Sequence, residues 1–219
     1  MKNKIYTLLL IVSSSLMFGQ KFQNAMIQMA DGNTKKGFVN GKIDKEVKKI
    51  KFRSSEKSTT ETISIDLIKS LSIQDSSGES FDIENISVYM DEKRRKPESV
   101  LMIKLDSGYY DLYFFADISF DKKGNIQFSD MQYNVAESPA VYYFIKKEKE
   151  KQGDFFAAEN ITGTSAFAPF HKYLKKNVAR FMADDKVLVD KIENKKLSVK
   201  NIPQIVKEYN EFKKVNGAD

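Results

Sequence analysis

Short alternations of hydrophobic and polar residues run along the chain from residue 21 to about residue 156, and clusters of turn residues interrupt them. This pattern is typical of strands that bury one face, and it favours antiparallel pairing over strand-helix-strand units. Outside the hairpins considered below, it predicts strands over residues 22–30, 37–43, 47–52, 61–65 and 140–146. The first two thirds of the chain therefore predict an antiparallel β-rich body, arranged as hairpins or a meander, a roll or an open barrel.

The segment 100–116, VLMIKLDSGYYDLYFFA, predicts the central hairpin of this body. A two-residue turn at 107–108 would place Met102 opposite Tyr113 and Lys104 opposite Asp111 on the neighbouring strand. Lys104 and Asp111 would form a favourable pair of opposite charges. Because a shift by one residue would turn the hydrophobic set towards solvent, we expect a well-defined register. That hydrophobic set occupies the other face: Leu105 with Tyr110, Ile103 with Leu112, and Leu101 with Phe114.

Two more hairpins are marked by turns that end in glycine, DSSG at 75–78 and DKKG at 121–124. Each suits a three-residue loop whose glycine adopts the left-handed conformation. Pairing outward from these turns brings large hydrophobic residues together on one face: Ile73 with Phe81, Leu71 with Ile83, Phe120 with Ile126, and Ile118 with Phe128.

The hydrophobic period changes to three and four residues after residue 161, which indicates amphipathic helices. The first helix would have Pro169 in its first turn, the second would start at the Asp184-Asp185 cap, and the third would start at Asn201 with Pro203 just inside. The third helix would end near Gly217. Their buried stripes are Phe167, Phe170, Leu174, Val178 and Phe181; then Val187, Leu188 and Ile192; then Ile202, Ile205, Val206, Tyr209 and Phe212.

The predicted fold class is therefore α+β, with segregated parts. The β-rich body covers residues 20–160, and a tail of about three helices covers residues 161–219 and packs on the body. Independent folding of the tail is left open.

The first 19 residues have the features of a secretory signal peptide. Lys2 and Lys4 precede an apolar run over 5–18, and Gly19 supplies the small residue before the cleavage site. The run is shorter than the roughly 20 residues of a membrane-spanning helix, and no second run follows it. The chain has no cysteine, so it can carry neither a lipid on a leader cysteine nor a disulfide. We expect an exported protein, periplasmic or surface-exposed, that does not span the membrane after cleavage.

The charge balance argues against a nucleic-acid-binding protein. Removal of Lys2 and Lys4 with the leader lowers the formal net charge from +6 to +4, a mild excess. Readers of nucleic acid use arginine for bidentate contacts. In this chain arginine occurs at four positions: Arg53, Arg94, Arg95 and Arg180. A lysine-rich solvated surface explains the charge better.

Candidate catalytic groups are few. His171 is the only histidine, and no G-x-S-x-G motif accompanies it, so the sequence does not support a serine hydrolase. One histidine and no cysteine are too few for the common zinc sites, and we predict no metal and no cofactor. The adjacent Asp184 and Asp185 are better explained as a helix cap than as a catalytic pair. Acids are nevertheless abundant, which leaves a carboxylate-dependent hydrolase acting on envelope polymers as the alternative function.

An aromatic surface is the candidate binding site. Met102, Tyr109 and Tyr113 would share the outer face of the central hairpin, where they could bind an envelope protein, a polymer or a lipid. Burial of these residues beneath the C-terminal helices explains them equally well.

Roughly the second half of the chain resembles uncharacterised exported proteins of Bacteroidota. The matching residues are the strand Tyr110-Asp111-Leu112-Tyr113, the strand Tyr142-Tyr143-Phe144-Ile145-Lys146-Lys147, and the C-terminal set Phe181, Asp184, Leu188, Ile192, Ile205, Val206, Tyr209 and Asn210. The relatives tend to have Cys-Pro after the helix-capping aspartate, where this chain has Asp185-Lys186, so no role of that cysteine carries over. The resemblance implies export and a strand-rich body with a helical tail, and it brings no catalytic residues.

The leading hypothesis is thus a non-catalytic exported module that serves binding or envelope architecture. Two acids facing each other in a deep cleft would instead favour the hydrolase.

Overall fold

The structure is a computed structural model that describes residues 22–44, 46–89, 96–131, 139–161 and 170–217. The predicted leader, Phe167 and Pro169 lie outside these residues. The strands are β1 Gln23–Met29, β2 Thr34–Asn40, β3 Lys49–Arg53, β4 Glu61–Ser64, β5 Ile68–Gln74, β6 Ser80–Tyr89, β7 Pro97–Asp106, β8 Tyr110–Phe115, β9 Asp117–Phe120, β10 Ile126–Ser129, β11 Val141–Lys147 and β12 Gln152–Glu159. The α-helices are α1 Phe170–Phe181, α2 Lys186–Glu193 and α3 Ile202–Asn216. The predicted α+β class is confirmed.

Five strands close into a barrel. β12, β11, β8, β7 and β6 pair in this order, and the ring closes because β12 also pairs with β6. That closing pair is parallel and joins Gln152–Asp154 to Ser87–Tyr89, whereas the other neighbours are antiparallel. The sequence predicted neither the closure nor a strand over the full length of β12.

The sheet continues beyond the barrel from β6. β5, β1, β2, β3 and β4 extend it in this order to ten strands. The β9–β10 hairpin packs against this extension, and Ile43 and Ile118 exchange backbone hydrogen bonds of 3.0 and 2.8 Å. Their contact encloses a hydrophobic core that includes Ile27, Leu71, Ile83, Ile103, Ile118 and Ile126.

The inward-facing residues of the barrel strands form a second core. Its members include Ile86, Val88, Val100, Met102, Tyr113, Phe115 and Phe144. Met131 and Phe170, which lie outside the barrel strands, belong to the same cluster. Met102 and Tyr113 are both 0% exposed, so the barrel is filled by side chains.

The helices cover the outer wall of the barrel. There, residues of the helices and of the barrel strands form a third core. Tyr110, Leu112, Tyr143 and Ile145 contribute from the strands, and Leu174, Val178, Leu188, Ile205, Val206 and Tyr209 contribute from the helices. Two buried asparagines add polar links. Asn177 of α1 donates to the carbonyls of Phe155 and Phe156 at 3.3 and 2.7 Å. The tail therefore shares its core with the body.

Asn210 of α3 makes the second link, and it explains a wrong prediction. Its side chain accepts from the Tyr110 N–H and donates to the Tyr110 carbonyl, both at 2.9 Å, as a neighbouring strand would. Gly108 lies so close that a Cβ there would be 2.5 Å from Asn210 Nδ2. The loop between β7 and β8 is shaped by this contact with α3, which no local pattern encodes.

The predicted register of the β7–β8 hairpin is wrong by two residues. Ile103 pairs with Phe114 and Lys104 with Tyr113, and an irregularity between Lys104 and Asp106 disrupts the ladder. Leu105, which was predicted to face inward, is 43% exposed. A shift by an even number of residues does not turn side chains to the other face of the hairpin. Residues that were predicted to share a face therefore still share it, although their partners on the other strand differ.

The other two predicted hairpins have the predicted pairs. Leu71 pairs with Ile83 and Ile73 with Phe81, and in the second hairpin Ile126 pairs with Phe120 and Phe128 with Ile118. Gly78 and Gly124 have φ angles of 89° and 92°, the left-handed values that these turns require.

α2 and α3 start where the sequence predicted, although the side chain of Asn201 makes no capping hydrogen bond to α3. Asp185 caps α2 by accepting from the Leu188 N–H at 2.9 Å, and Pro203 lies in the first turn of α3. The prediction that Val187 is buried is wrong, because this residue is 67% exposed. In the described part of the chain, no helix has both the length and the hydrophobicity that crossing a bilayer requires.

Candidate functional site

A cleft of about 870 Å³ lies between the outer wall of the barrel and the C-terminal helices. We call it the tyrosine cleft. The barrel contributes residues from β8, β11 and β12, the β11–β12 turn forms one side, and the end of α1 with part of α3 forms the other. Its principal lining residues are Tyr109, Tyr110, Lys147, Glu150, Asp154, Arg180, Phe181, Asp184, Tyr209 and Lys213.

Three tyrosines form an aromatic cluster in this cleft. The ring of Tyr110 stacks on that of Tyr209 with centroids 5.8 Å apart, and the ring of Tyr109 meets both edge-on at 5.1 and 5.9 Å. The loop before β8 supplies Tyr109, while the docking of Asn210 beside Tyr209 aligns α3 with Tyr110. The cluster therefore depends on the packing of the tail against the barrel.

Two lysines approach the ring of Tyr109. The Nζ atoms of Lys147 and Lys213 lie 5.2 and 4.7 Å from its centroid, within range of cation–π attraction. Lys213 also donates to Asp184 Oδ2 at 3.1 Å. Lys147 forms no ion pair with a carboxylate of the described residues, and its Nζ atom lies 5.2 and 5.8 Å from the ring centroids of Tyr109 and Tyr110.

Two of the three acids that line the cleft, Asp184 and Asp154, lie beside cations, whereas the third, Glu150, forms no ion pair within the described residues. Asp184 accepts from the Tyr209 hydroxyl at 2.8 Å and from Lys213. Burial alone would raise the pKa of Asp184, but these two hydrogen bonds hold it below its ordinary value. Asp154 lies 3.8 Å from the Arg180 guanidinium. Both carboxylates thus face a cation within the cleft.

The hydroxyls of Tyr110 and Tyr209 stay neutral at physiological pH. Burial raises the pKa of Tyr110 well above its ordinary value, and the neighbouring Glu150, Asp154 and Asp184 carboxylates add to the effect. Burial also raises the pKa of Tyr209, and its hydrogen bond to Asp184 adds to this. These groups are suited to hydrogen bonding and stacking rather than to proton abstraction.

A second cavity of about 970 Å³ lies on the other side of Tyr109. We call it the lysine cavity. It shares Tyr109 and Lys147 with the tyrosine cleft, and its other lining residues are Lys104, Ser107, Gly108, Asp111, Glu148, Lys149, Lys214 and Gly217. The two cavities are therefore adjacent, and Tyr109 and Lys147 belong to the walls of both.

A charged network lies at the edge of the lysine cavity. Lys104 Nζ lies 3.0 Å from Asp111 Oδ2 and 3.4 Å from Glu84 Oε1. The Tyr113 hydroxyl donates to Glu84 at 2.8 Å and lies 3.3 Å from Asp111 Oδ2. Burial alone would lower the pKa of Lys104, but the carboxylates of Asp111 and Glu84 raise it. The two acids are thus joined by a cation.

The predicted binding surface of Met102, Tyr109 and Tyr113 does not exist as one surface. Met102 and Tyr113 point into the barrel and are 0% exposed. Tyr109 is half-buried and lines both cavities. The prediction failed for two of the three residues because the strands close into a barrel, so the face opposite the helices is an interior.

Most residues of the tyrosine cleft were missed by the sequence analysis. Lys147 and Asp154 flank the β11–β12 turn, Arg180 ends α1, and Tyr209 and Lys213 lie on α3. These residues are far apart in the chain and meet because the tail docks on the barrel. None of them belongs to a motif with fixed spacing. Tyr109 could be recognised as a candidate from the sequence, because it is an aromatic residue next to a turn glycine.

The remaining candidate groups lie elsewhere or have structural roles. His171 lines neither cavity, and burial together with Lys175 and Lys195 lowers its pKa. Asp185 caps α2, whereas its neighbour Asp184 lines the tyrosine cleft. Within the described residues, no group of three or more His, Cys, Asp or Glu side chains is placed to hold a metal ion.

The chain was compared with models of protein families, with curated proteins and with solved structures. None of these comparisons finds a match. The geometry of the two cavities is therefore the basis for a functional interpretation.

Proposed function

We propose that this protein is an exported, non-catalytic binding module that holds a segment of a saccharide polymer in the tyrosine cleft. The observation that carries the proposal is the cluster of Tyr109, Tyr110 and Tyr209, which lines a cleft of about 870 Å³ beside Lys147. This volume lies within the range of about 300–1,000 Å³ that is usual for ligand sites. Tyrosine offers an apolar ring face and a polar hydroxyl, and a sugar ring has the same division.

The lining of the cleft favours a polymer over a lipid or a folded protein. A lipid chain would require a mostly apolar wall, whereas charged residues line every side of this cleft, including Lys147, Asp154, Arg180 and Lys213. A stable protein partner would require a contact of about 800 Å² on each side, which is better provided by a broad surface than by a cleft.

The arrangement of the acids supports binding over hydrolysis. Glycoside hydrolysis uses a pair of carboxyl groups that flank the scissile bond, with one of them protonated as an acid. Asp184 instead bonds to Lys213, and its pKa is lowered, which favours the ionised form. Glu84 and Asp111 approach each other, but Lys104 lies between them.

Export is part of the proposal. The lysine-flanked apolar run over residues 5–18 and Gly19 support removal of a leader. The resemblance to exported proteins of Bacteroidota supports the same location. A saccharide polymer of the envelope or the surroundings would then be accessible to the protein.

Binding can be tested by titrating the mature protein with soluble polysaccharides while its tyrosine fluorescence is followed. The chain has no tryptophan, so the fluorescence reports the tyrosines directly. Tyr109→Ala should weaken binding about tenfold or more, a loss of about 1.4 kcal/mol, because it removes the shared wall of both cavities. Tyr109→Phe should retain most of the affinity.

Met26→Ala is the matched control, since Met26 lies on β1 in the extension and is 47% exposed. It should bind as the unmodified protein does. The proposal is wrong if a panel of neutral and charged polysaccharides shows no binding, or if the folded Tyr109→Ala variant binds as well as the control.

A further inference from the structure

We infer that the polymer is a polyanion, an acidic polysaccharide whose chain passes from the tyrosine cleft around Tyr109 into the lysine cavity. This inference rests on the proposed function. It assigns the ligand a chemical class and a path, and it assigns a role to the lysine cavity.

The charges beside Tyr109 favour an anionic ligand. Lys147 and Lys213 both lie about 5 Å from the ring centroid, and Asp184 is the carboxylate bonded to Lys213. Lys147 has no such partner among the described residues. A carboxylate of the ligand placed over this end of the cleft would complete an ion pair in a half-enclosed site, where charges are less screened than in open water.

The lining of the lysine cavity carries an excess of positive charge. Lys104 is bonded to Asp111 and Glu84 and is thus neutralised. Lys149 and Lys214 line the same cavity, and neither forms an ion pair within the described part of the chain. Glu148 is the remaining acid of the lining, so the uncompensated charge of this cavity is positive. A second anionic group would be favoured here.

The two cavities are adjacent, because Tyr109 and Lys147 line both of them. On the proposed path, a chain that stacks on Tyr109 in the cleft passes this side chain to reach Lys149 and Lys214. The wall that it passes is held in place: Gly108 packs against Asn210, and Asn210 pairs with the backbone of Tyr110. A site that is rigid before binding loses less conformational entropy when the ligand arrives.

The charge can be tested with oligomers of galacturonate and with the same oligomers after methyl esterification. The backbone is unchanged by esterification, but the negative charge is lost. We expect the acid to bind at least about tenfold more tightly than the ester, and its affinity to fall as salt is added. Lys147→Gln should remove most of this difference.

The path can be tested with the length of the oligomer. Lys149→Gln combined with Lys214→Gln should weaken binding of long oligomers several-fold and leave binding of the shortest ones unchanged, because only long chains reach the lysine cavity. Lys57→Gln is the matched control. Lys57 is exposed in the loop between β3 and β4, at the far end of the ten-stranded sheet.

The outcomes separate the two levels of the proposal. Equal binding of the acid and the ester would overturn the inference that the ligand is a polyanion. It would not contradict the proposal that the protein is a binding module. A loss of affinity in Lys57→Gln as large as in Lys147→Gln would show nonspecific attraction and overturn the assigned site. An unchanged affinity of long oligomers for the double variant would overturn the path. Absence of binding by either oligomer and by every other polysaccharide would overturn the proposed function itself.

Discussion

At the scale of single residues, Asn210 has the greatest influence on the candidate site. Its side chain is 4% exposed and pairs with both backbone groups of Tyr110, a hundred residues earlier in the chain. This pair fixes α3 against the start of β8, and it therefore positions Tyr209 beside Tyr110. Buried backbone groups that lose their partner are costly, because they can no longer bond to water either.

Asn210→Ala should therefore destabilise the protein by about 1–3 kcal/mol, the usual cost of leaving buried polar groups unpaired. Urea unfolding followed by circular dichroism would measure the change. Asn216→Ala on the same helix is the control: Asn216 is exposed, so we expect a change within about 0.5 kcal/mol. Equal stabilities of the two variants would contradict the role of Asn210.

The buried tyrosines predict instability at alkaline pH. Burial is the first cause that raises the pKa values of Tyr110, Tyr113, Tyr143 and Tyr209 above the ordinary 10.0. A group whose pKa is higher in the folded state stabilises the fold below its unfolded pKa, and this contribution is lost as the pH rises. Stability should thus be unaffected by these groups up to about pH 10 and should fall above it.

Tyrosinate absorbance and circular dichroism, recorded together above pH 10, would test this. We expect these hydroxyls to ionise in the same step in which the fold is lost. Tyr110→Phe should make the free energy of unfolding less dependent on pH in that range, because it removes one of the groups. Ionisation of all tyrosines near pH 10 with an intact fold would contradict the burial that we describe.

At the scale of elements, the β7–β8 hairpin shows how a tertiary contact overrides a local pattern. Alternation correctly assigned the two faces, because the period of a strand is two residues whatever the register. The turn was misjudged, since Ser107 and Gly108 suit a two-residue turn, yet the loop also includes Tyr109. The observed loop and the irregular pairing at Leu105 accommodate the contact between Gly108 and Asn210.

Two leucines of this hairpin distinguish the registers. Leu112 is 0% exposed and lies in the core beneath the helices, so Leu112→Ala should cost about 2–5 kcal/mol. Leu105 is 43% exposed, so Leu105→Ala should change stability by about 0.5 kcal/mol or less. Thermal and urea unfolding of both variants would decide. Equally large losses of stability in both variants would instead support the register with the two-residue turn.

At the scale of the whole molecule, the barrel and the helical tail form one packed structure. The helices complete the core on the outer wall of the barrel, and they supply one side of the tyrosine cleft. Without the tail, large hydrophobic side chains of β8 and β11 would face water. The site is therefore a property of the assembled chain and not of either part.

The proposed leader makes a prediction about the mature form of the protein. If export removes residues 1–19, intact-mass measurement of the native protein should find a chain that begins at Gln20 or within about two residues of it. The chain should carry no lipid, because no cysteine is present. Substitution of Gly19 by a bulky residue should leave the leader attached or move the cleavage point. A full-length product in the cytoplasm would contradict export.

The candidate site could be predicted from the sequence only at Tyr109. Single-sequence reasoning finds sites through motifs of fixed spacing, and this cleft has none. Its residues come from barrel strands, a loop, a β-turn and two helices, and they meet because α1 and α3 dock on β12 and β8. The same reasoning left Met102 and Tyr113 either on a binding surface or beneath the helices, because alternation separates two faces but does not show that one of them becomes the interior of a barrel.

Near neighbours in the chain are enough to specify the α+β class, most strands, two hairpins with their glycine turns, and the starts of α2 and α3. Those features follow from side-chain periodicity, from the conformational freedom of glycine, and from capping groups within a few residues. The closure of the barrel by β12 on β6, the loop before β8 and the tyrosine cleft depend instead on tertiary contacts. Each of these joins segments distant in the chain, where the outcome depends on complementary packing and on which buried backbone groups find a partner.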